Sequence, residues 1–482
     1  MSGRTQKAKS FIILLLILIP LVPSVISSNS SQAGDLSIRV LGTIIVNASG
    51  SGDYTHIQWA VDNSSAGDTI FVEAGMYREN VIINKTLSLV GAGWENTTIV
   101  GQGNENVVFV TANGTNISGF KIRNSSFIGD GIHLKSVNSC RVENNWMEDN
   151  RNGLYLDNSD WNEIINNVCQ DNDMRGIILF QSFYNSLQNN TCTENYEGIL
   201  LSSSSNNIVN MNKCFSNQSA GIELSLSHNN VITNNSCSDN RFYGIEIYNS
   251  DNNSFRFNNI ARNGRGGINL AYSVDSMLSG NLMVGGGIYF YGDLQEHWTT
   301  NDIDSSNLVD GRVIVFVKDS IDMEIPPNAG QIILAGCRNI TVKDQNISGV
   351  YVGLQVVFSH SIIIEDNNFS NNGKDGIDLY NSMDVEIRHN RCDSNGESGI
   401  RMYRYSFDNE VIDNSCIGNY RYGIYIYNSY DNKIINNTCS SSNDYGIYVY
   451  YSFGTIISGN IANDNGQGIK IYWADGTVIR NN

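Results

Sequence analysis

The sequence has few of the features that mark a membrane protein, a nucleic-acid-binding protein or a metal centre. Beyond residue 22 no apolar run is long enough to cross a bilayer, so we expect no membrane span in the mature chain. Acidic residues outnumber basic ones by 48 to 30, and a net charge of −18 disfavours nucleic acid as a partner, because polyanions are repelled unless a divalent cation bridges them. The chain has no CxxC motif and no close pair of histidines, so we predict no metal site of that kind.

Long amphipathic helical patterns are also lacking, and a short repeat takes their place. The repeat is a Gly-apolar-x-apolar element that begins at Gly131, Gly153, Gly176, Gly198, Gly221, Gly244, Gly267, Gly287, Gly353, Gly376, Gly399, Gly423, Gly446 and Gly468. Most neighbours lie 22 or 23 residues apart, and 20 and 24 are the extremes of the regular part. A period of this size is typical of a solenoid.

One period, Gly423 to Gly446, indicates which kind of solenoid this is. Apolar residues alternate at Ile424 and Ile426, then recur at Ile434 after a turn rich in Asn, Ser and Asp. Leucine-rich repeats have similar periods, but they place a helix between strands. The sequence therefore predicts an all-β protein, a single-stranded parallel β-helix with three strands in each coil of 22–23 residues. Roughly fifteen coils at about 4.8 Å each would give a stack of about 70 Å.

The chain divides into five predicted segments. They are a signal peptide at 1–30, an N-terminal cap with the first coils at 35–125, β-helix coils at 126–287, an irregular coil with an insert at 288–329, and coils at 330–482 that we expect to continue beyond the end of the chain. The signal peptide is predicted from the basic residues Arg4, Lys7 and Lys9 before the apolar run at 11–22. We therefore expect an exported monomer, extracellular or at the cell surface, or periplasmic if the source has an outer membrane.

Two segments depart from the repeat. Thr55 to Gln58 has the pattern of a capping box, which predicts a short helix that covers the open apolar end of the stack. Between Gly287 and Gly330 the spacing is 43 residues, so we expect an insert of about 20 residues that bulges from one coil. The insert contributes His297 and Trp298 as candidate ligand-binding residues, and a structural flap over the stack is the alternative.

The N-terminal part resembles pectinesterases and other pectin-lyase-like proteins. The similarity lies in SGDYTHIQWAVDNSSAGDTIFVEAGMYREN, with a G-x-Y-x-E element at Gly75, Tyr77 and Glu79. The esterase catalytic motifs QDTL and DFIFG have no counterpart, so esterase activity is not implied.

The repeats from Gly131 to Asn482 resemble right-handed β-helix proteins of the NosD type and the carbohydrate-binding and sugar-hydrolase repeat domain. The resemblance is carried by the G-I-x-L and N-x-I-x-N-N patterns. It implies a right-handed coil, and it leaves open a role as a copper or enzyme-maturation accessory protein. No residues here match the family's copper-binding description.

Asparagine pairs and cysteines recur with the repeat and are interpreted as structural. The pairs are Asn144-Asn145, Asn166-Asn167, Asn189-Asn190, Asn234-Asn235, Asn258-Asn259, Asn367-Asn368 and Asn436-Asn437. They are expected to form turn ladders. Seven of the nine cysteines, Cys169, Cys192, Cys214, Cys237, Cys392, Cys416 and Cys439, fall at one position of successive coils. Inward-facing free thiols are the favoured interpretation, with disulfides or metal ligation as alternatives.

The outward positions of the late coils carry the main ligand-binding candidates. They are Asp378, Tyr380, Arg401, Tyr403, Tyr425, Tyr427, Tyr448, Tyr450 and Tyr472. Aromatic faces stack on sugars, and a sugar unit is about as long as a coil is high, roughly 5 Å. A polysaccharide or glycoprotein glycan is therefore the predicted partner. Cross-coil stacking that only stabilises the fold is the alternative.

Glu223 and Glu246 are the candidate catalytic residues on the earlier coils. The repeat places them in register, about 5 Å apart. Two such carboxyl groups suit a retaining glycosidase or could share a Ca²⁺ ion, and stacked surface glutamates without a function are the alternative. No cofactor is otherwise predicted, and the motifs GHG, RIK and DPHD of related β-helix enzymes are missing. The sequence thus favours a secreted or surface glycan-binding protein, with a polysaccharide-active enzyme or a NosD-like accessory protein as alternatives.

Overall fold

A computed structural model describes residues 42–103, 105–125 and 127–482, and the predicted signal peptide lies outside the described residues. The described chain forms a parallel β-solenoid in which each coil of the first part passes through three sheets, A, B and C, in turn. The all-β parallel β-helix prediction is confirmed.

The strands of the first part are as follows. Sheet A contains Thr43–Val46, Thr69–Val72, Ser88–Gly91, Asn116–Ser118, Arg141–Glu143, Glu163–Ile165, Ser186–Gln188, Ile208–Asn210, Val231–Thr233, Ser254–Arg256, Met277–Ser279 and Asp302–Ile303. Sheet B contains Gly75–Arg78, Thr97–Val100, Lys121–Arg123, Trp146–Glu148, Val168–Gln170, Thr191–Thr193, Lys213–Phe215, Ser236–Ser238, Asn259–Ala261, Leu282–Val284 and Leu308–Val309. Sheet C contains Val81–Ile83, Val108–Val110, Ile132–Lys135, Leu154–Asp157, Arg175–Phe180, Glu197–Ser202, Ile222–Ser225, Tyr243–Tyr248, Gly266–Ala271 and Ile288–Tyr291.

Close packing between coils explains the glycine of the repeat. A Cβ atom on Gly176 would lie 2.6 Å from the carbonyl oxygen of Gly198 in the next coil and 2.9 Å from Cβ of Cys192. No larger residue fits there without moving backbone. The apolar residues that follow point inward, so identical positions of successive coils form columns in the core.

In five of the seven asparagine pairs the two members have different roles, with the first at the left-handed turn position and the second buried. Asn166 takes the left-handed backbone conformation at the turn, with φ of 57°. Asn167 is buried, and its Nδ2 atom donates to Oδ1 of Asn190 in the next coil at 3.0 Å. Each buried amide thus supplies the hydrogen bonds that the enclosed turn needs, and the predicted ladder is confirmed.

All nine cysteines are free and buried. Four of them occupy the same register position on neighbouring strands of sheet B, and their side chains lie inside the solenoid. They are Cys169, Cys192, Cys214 and Cys237. The interpretation as inward-facing thiols is confirmed.

The predicted capping helix is present at Ile57–Asn63, with Ile57, Ala60 and Val61 buried. The predicted capping box is wrong, because no side-chain hydrogen bond caps the helix from within that segment. Instead, the carboxylate of Glu79 accepts hydrogen bonds from the backbone N–H groups of Ile57 and Gln58, both at 2.9 Å. Glu79 of the G-x-Y-x-E element therefore anchors the helix to the first coils.

Segment 288–329 differs from the expected bulge on one coil. Its first part supplies the short helix Glu296–Thr299 and the last strands of sheets A and B. A two-residue turn, Asp310-Gly311, with φ of 49° and 75°, then reverses the chain. Strands Leu308–Val309 and Arg312–Lys318 pair antiparallel across it. Positive φ at both turn residues is typical of a tight hairpin turn that Asp-Gly favours.

A second stack of coils begins at this hairpin. Its sheet D contains Arg312–Lys318, Gln331–Ala335, Val352–Val357, Asp375–Tyr380, Ser398–Tyr403, Tyr422–Tyr427, Tyr445–Tyr450 and Gln467–Tyr472. Its sheet E contains Ile321–Glu324, Arg338–Lys343, Ile363–Glu365, Glu386–Arg388, Glu410–Ile412, Lys433–Ile435, Ile456–Ser458 and Val478–Arg480. The third strand is reduced to isolated bridges such as Asn368 to Arg391. With eleven strands in sheet B and eight in sheet D, the described residues form about 19 coils, more than predicted.

Two glutamines join the stacks. Strand Ile288–Tyr291 is the last strand of sheet C. Along its free edge the backbone of Ile288 exchanges hydrogen bonds with the side-chain amide of Gln331 at 2.8 and 2.6 Å. The backbone of Phe290 does the same with Gln355 at 3.3 and 3.2 Å. The outward face of sheet D therefore packs against the end of sheet C.

Candidate functional site

The late coils of sheet D carry an array of tyrosines that we call the tyrosine ladder, defined as Tyr425, Tyr427, Tyr448, Tyr450 and Tyr472. The rings of Tyr427, Tyr450 and Tyr472 stack in sequence with centroids 5.4 and 5.5 Å apart. Tyr425 and Tyr448 form a parallel pair at 5.4 Å. Four of the rings are half-buried and Tyr472 is exposed. The predicted column of tyrosines at one-coil spacing is present in this part of the sheet.

The earlier part of the predicted column is covered. Tyr380 and Tyr403 are only 4% and 8% exposed, and their rings meet edge to face at 4.8 Å. The buried Asp378 forms an ion pair with the half-buried Arg401, with nitrogen to oxygen distances of 2.9 and 2.8 Å. These four residues lie inside the packing between the stacks, whereas the sequence predicted an open surface for them.

These four residues are covered by segment 288–329, which the sequence predicted to contain an insert. Trp298 is buried, stacks on Phe290 with centroids 5.4 Å apart, and donates from Nε1 to the carbonyl oxygen of Gly292 at 3.0 Å. Its ring lies 6.4 Å from that of Tyr380. His297 is half-buried and is turned toward Tyr272, with ring centroids 5.7 Å apart.

The same segment is tied to sheet D by polar contacts. The hydroxyl of Tyr380 donates to Asp293 at 3.2 Å, and Arg404 pairs with the same carboxylate. Trp298 therefore has the contacts of a packing residue, which is the flap alternative that the sequence left open.

The two candidate catalytic glutamates lie opposite each other on neighbouring strands of sheet C. Both are half-buried. Burial raises the pKa of Glu223 to about 8, and the carboxylates of Glu197 and Glu246 add to the shift. Burial also raises the pKa of Glu246, while a hydrogen bond from Asn269 opposes the rise. The cluster therefore favours a protonated carboxyl group at Glu223 near neutral pH, beside a second carboxyl group whose pKa is also raised.

Arg175 and Tyr243 of the first stack lie close to this cluster, and residues of the second stack contact Tyr243 and Tyr289. The sequence did not predict these residues. Tyr243 of the first stack meets Tyr351 of the second edge to face at 6.0 Å. Lys374 of the second stack donates to the hydroxyl of Tyr289 at 2.8 Å. Glu197 is held by Arg175 at 2.8 Å.

Some of the residues around the glutamate cluster could have been found from their position in the sequence repeat. Arg175, Glu197 and Tyr243 stand immediately before the repeat glycine, a position that the structure turns toward the outward face of sheet C. The residues from the second stack have no such signal, because their approach depends on how the two stacks meet.

The side chains of the described residues do not fit a copper site. Within the described residues no group of three or more His, Cys, Asp or Glu is arranged to hold a metal ion, and the thiols are enclosed in the core. The shared Ca²⁺ ion at Glu223 and Glu246 stays a prediction. The helices in the described part of the chain are too short or too polar to span a membrane.

Two family models match the chain. A model described as "Right handed beta helix region" matches residues 106–260 and 330–482, more than half of the chain. A model described as "Periplasmic copper-binding protein (NosD)" matches residues 213–329. The predicted resemblance to NosD-like right-handed β-helix proteins is confirmed.

Curated relatives match over short stretches. A cell surface glycoprotein of Methanothermus fervidus is 30% identical over 142 residues, which are 29% of this chain and 21% of that protein. An Arabidopsis thaliana protein described as "Probable pectinesterase/pectinesterase inhibitor 6" is 35% identical over 103 residues, 20% of this chain and 18% of that protein. The chain thus spans about a fifth of the length of these relatives.

Two solved structures match the chain at low identity. The Dettilon tailspike protein is 14% identical with a TM-score of 0.44 and covers 65% of this chain and 62% of its own. The catalytic domain of a GH87 α-1,3-glucanase in complex with nigerose is 18% identical with a TM-score of 0.41 and covers 89% of this chain and 70% of its own.

Proposed function

Because the chain belongs to the right-handed β-helix family, we propose that it is a secreted or cell-surface protein that binds an extended polysaccharide or glycan along the tyrosine ladder. The observation that carries this proposal is the repetition of half-exposed tyrosines at one-coil spacing, with centroids 5.4 to 5.5 Å apart. This spacing is close to the length of one sugar unit in an extended chain, so successive sugars meet equivalent hydroxyl and ring groups.

Position along the chain also supports glycan binding at the ladder. The ladder lies beyond the coils that the 292–300 segment covers, so an extended ligand reaches its rings from solvent. The similarity to a cell surface glycoprotein and to the periplasmic NosD family fits a location outside the cytoplasm. The structural role of ring stacking is compatible with binding, since stacked rings also hold their hydroxyl groups in a fixed row.

The test replaces Tyr427, Tyr450 and Tyr472 together with serine and measures retention on columns of immobilised neutral and acidic polysaccharides. We expect the wild type to be retained on at least one column and the triple variant to elute at the void volume. The control is Tyr420→Ser, because Tyr420 is exposed at a turn outside the ladder. Equal retention of the triple variant and the control would refute binding at the ladder.

A second function, polysaccharide cleavage, is favoured by the glutamate cluster alone. Glycoside hydrolysis needs one carboxyl group that keeps its proton and one that is ionised. The raised pKa of Glu223, about 8, supplies the carboxyl group that keeps its proton near neutral pH. Glu223 would donate the proton to the leaving oxygen, and Glu246 would act as the nucleophile or base.

This second function has its own test. The protein is incubated with a panel of polysaccharides, with and without Ca²⁺, and new reducing ends or unsaturated products are measured. Glu223→Gln and Glu246→Gln are each expected to abolish turnover, whereas the triple tyrosine variant changes the concentration dependence. Product formation that both glutamine variants retain would rule out this role for the cluster.

A further inference from the structure

An exposed aromatic pair lies on the first stack, on the turn between sheets C and A, away from the tyrosine ladder. Trp161 and Tyr184 occupy equivalent positions of successive coils and are 60% and 48% exposed. Their rings stack with centroids 4.4 Å apart and an angle of 7° between planes. Adjoining aromatic rings that are open to water provide an apolar face on which a ligand can stack.

The backbone at these positions does not favour aromatic residues. Trp161 and Tyr184 both have φ of 57°, in the left-handed region. Equivalent positions of the same turn in other coils carry Ser139, Asn206, Asn229, Asn252 and Asp275, all with positive φ. These small polar residues tolerate the left-handed region, whereas bulky side chains rarely occupy it. The turn therefore needs neither aromatic ring for its own geometry.

A groove of about 510 Å³ borders one side of the pair. It is lined by Asn116, Ser139, Cys140, Arg141, Trp161 and Glu163. Tyr184 stacks on Trp161 from the coil that follows, and the coil that precedes has the small residue Ser139 at the equivalent position. The groove thus lies where a third ring would continue the stack.

The polar side chains that line the groove determine whether a charged or a neutral ligand can bind there. Arg141 pairs with Glu163 of the next coil and with Glu143 at 2.8 Å. Its positive charge is already matched by two carboxylates, so no uncompensated cation faces an anionic ligand. A vicinal pair of hydroxyl groups, in contrast, can accept from Arg141 and donate to Glu163 at the same time.

We propose that this groove is a second carbohydrate site, which binds a neutral hexopyranose unit with its apolar face on Trp161 and its hydroxyl groups between Arg141, Glu163 and Asn116. The unit takes the place of the missing ring beside Ser139. The site is separate from the tyrosine ladder and does not depend on it.

The test uses Trp161→Asn, because asparagine is the residue that Asn206 and Asn229 provide at the same turn position. The fold is expected to be unchanged or slightly more stable, since the substitution relieves a left-handed aromatic residue. Maltotetraose, cellotetraose, mannotetraose and trigalacturonate are titrated by calorimetry against the wild type and the variant. We expect saturable binding of at least one neutral tetrasaccharide, with Kd raised at least tenfold in Trp161→Asn.

Two controls accompany this test. The first shows whether the loss of any exposed aromatic ring weakens binding, and the second shows whether the tetrasaccharide binds at the tyrosine ladder instead. Phe257→Asn removes another aromatic residue that is 63% exposed with φ of 55°, and it is expected to leave Kd unchanged. The triple tyrosine variant of the ladder is expected to bind the tetrasaccharide at the groove as the wild type does. The proposal is overturned if no neutral tetrasaccharide binds, if Trp161→Asn binds like the wild type, or if trigalacturonate is the sugar that depends on Trp161.

Discussion

The side-chain amide of Gln355 pairs with the backbone of Phe290 as a neighbouring strand would. Its Nε2 atom donates to the carbonyl oxygen at 3.2 Å, and its Oε1 atom accepts from the N–H group at 3.3 Å. Both residues are buried. A strand edge that would otherwise lie unsatisfied in the interior is thereby closed by a side chain from a residue 65 positions later.

Replacing Gln355 with leucine should therefore destabilise the protein. The substitution leaves a buried N–H and a buried carbonyl group without partners, which costs roughly 1–3 kcal/mol for each group. Urea denaturation followed by far-UV circular dichroism measures the change in the free energy of unfolding. Gln188→Leu, on an exposed strand position, is the control and should change it by less than about 0.5 kcal/mol. Similar values for the two variants would contradict the role of Gln355.

The asparagine ladder should be sensitive to loss of a single amide. Asn190 accepts from the backbone and side chain of Asn167 at 2.9 and 3.0 Å and donates to the carbonyl oxygen of Ile164 at 2.8 Å. Asn190→Ala is expected to lower the free energy of unfolding by about 2–4 kcal/mol, because buried groups on two coils lose partners. Asn259→Ala, at an exposed strand position, should have little effect in the same denaturation experiment. A loss below about 1 kcal/mol at Asn190 would show that the amide column is dispensable.

The glutamate cluster should make stability depend on pH. The folded protein raises the pKa of Glu223 from 4.5 to about 8, so the folded state holds this proton more tightly than the unfolded state does. The contribution is complete below pH 4.5 and is lost as the pH rises through 8. Glu223→Gln removes the ionisation, so its thermal midpoint relative to wild type should rise between about pH 5 and 9. Glu105→Gln, at an exposed position, is the control. Parallel pH profiles for wild type and Glu223→Gln would disprove the raised pKa.

Thiol reactivity should report the cysteine columns. All nine thiols are buried, and burial raises the pKa of Cys192 and Cys214 well above its ordinary value. At Cys416 burial raises the pKa, but hydrogen bonds with Cys392 and Cys439 lower it to about 6. Its side chain is nevertheless enclosed, so access and not acidity should limit the reaction. Ellman's reagent is expected to titrate no thiol in the native protein and all nine after denaturation without reductant. A smaller number after denaturation would reveal disulfides.

Features that repeat within each coil were predictable from the sequence. The register of Glu223 with Glu246 and of Tyr425 with Tyr448 follows from equal spacing, since equivalent positions of stacked coils must become neighbours. The number of coils predicted from the sequence was too low because the first coils lack the Gly-apolar-x-apolar element. Strands such as Val81–Ile83 are held by the same packing but without its signature glycine.

Features that depend on contacts between the stacks were not predictable. Gln331 and Gln355 stand on strands whose pattern matches that of any other coil. Asp378 and Tyr380 are buried by a segment more than 80 residues earlier in the chain. The sequence around these two residues contains no pattern that predicts this contact. A spacing of 43 residues was also ambiguous, because an insert in one coil and a reversal between two stacks give the same gap.

The turn at Asp310-Gly311 has a consequence for how the chain folds. Each parallel pairing between coils closes a loop of about 22 residues, whereas this hairpin closes a loop of two residues, which lowers the entropic cost of closure by roughly 2 kcal/mol. We therefore expect the first lasting contact to form in the middle of the chain, with coils then added outward toward both ends. Pulse-labelling hydrogen exchange in which residues 308–313 gain protection last would contradict this order. Folding would then be nucleated by the two-residue turn at Asp310-Gly311, although most strand pairings in the molecule join residues about 22 positions apart.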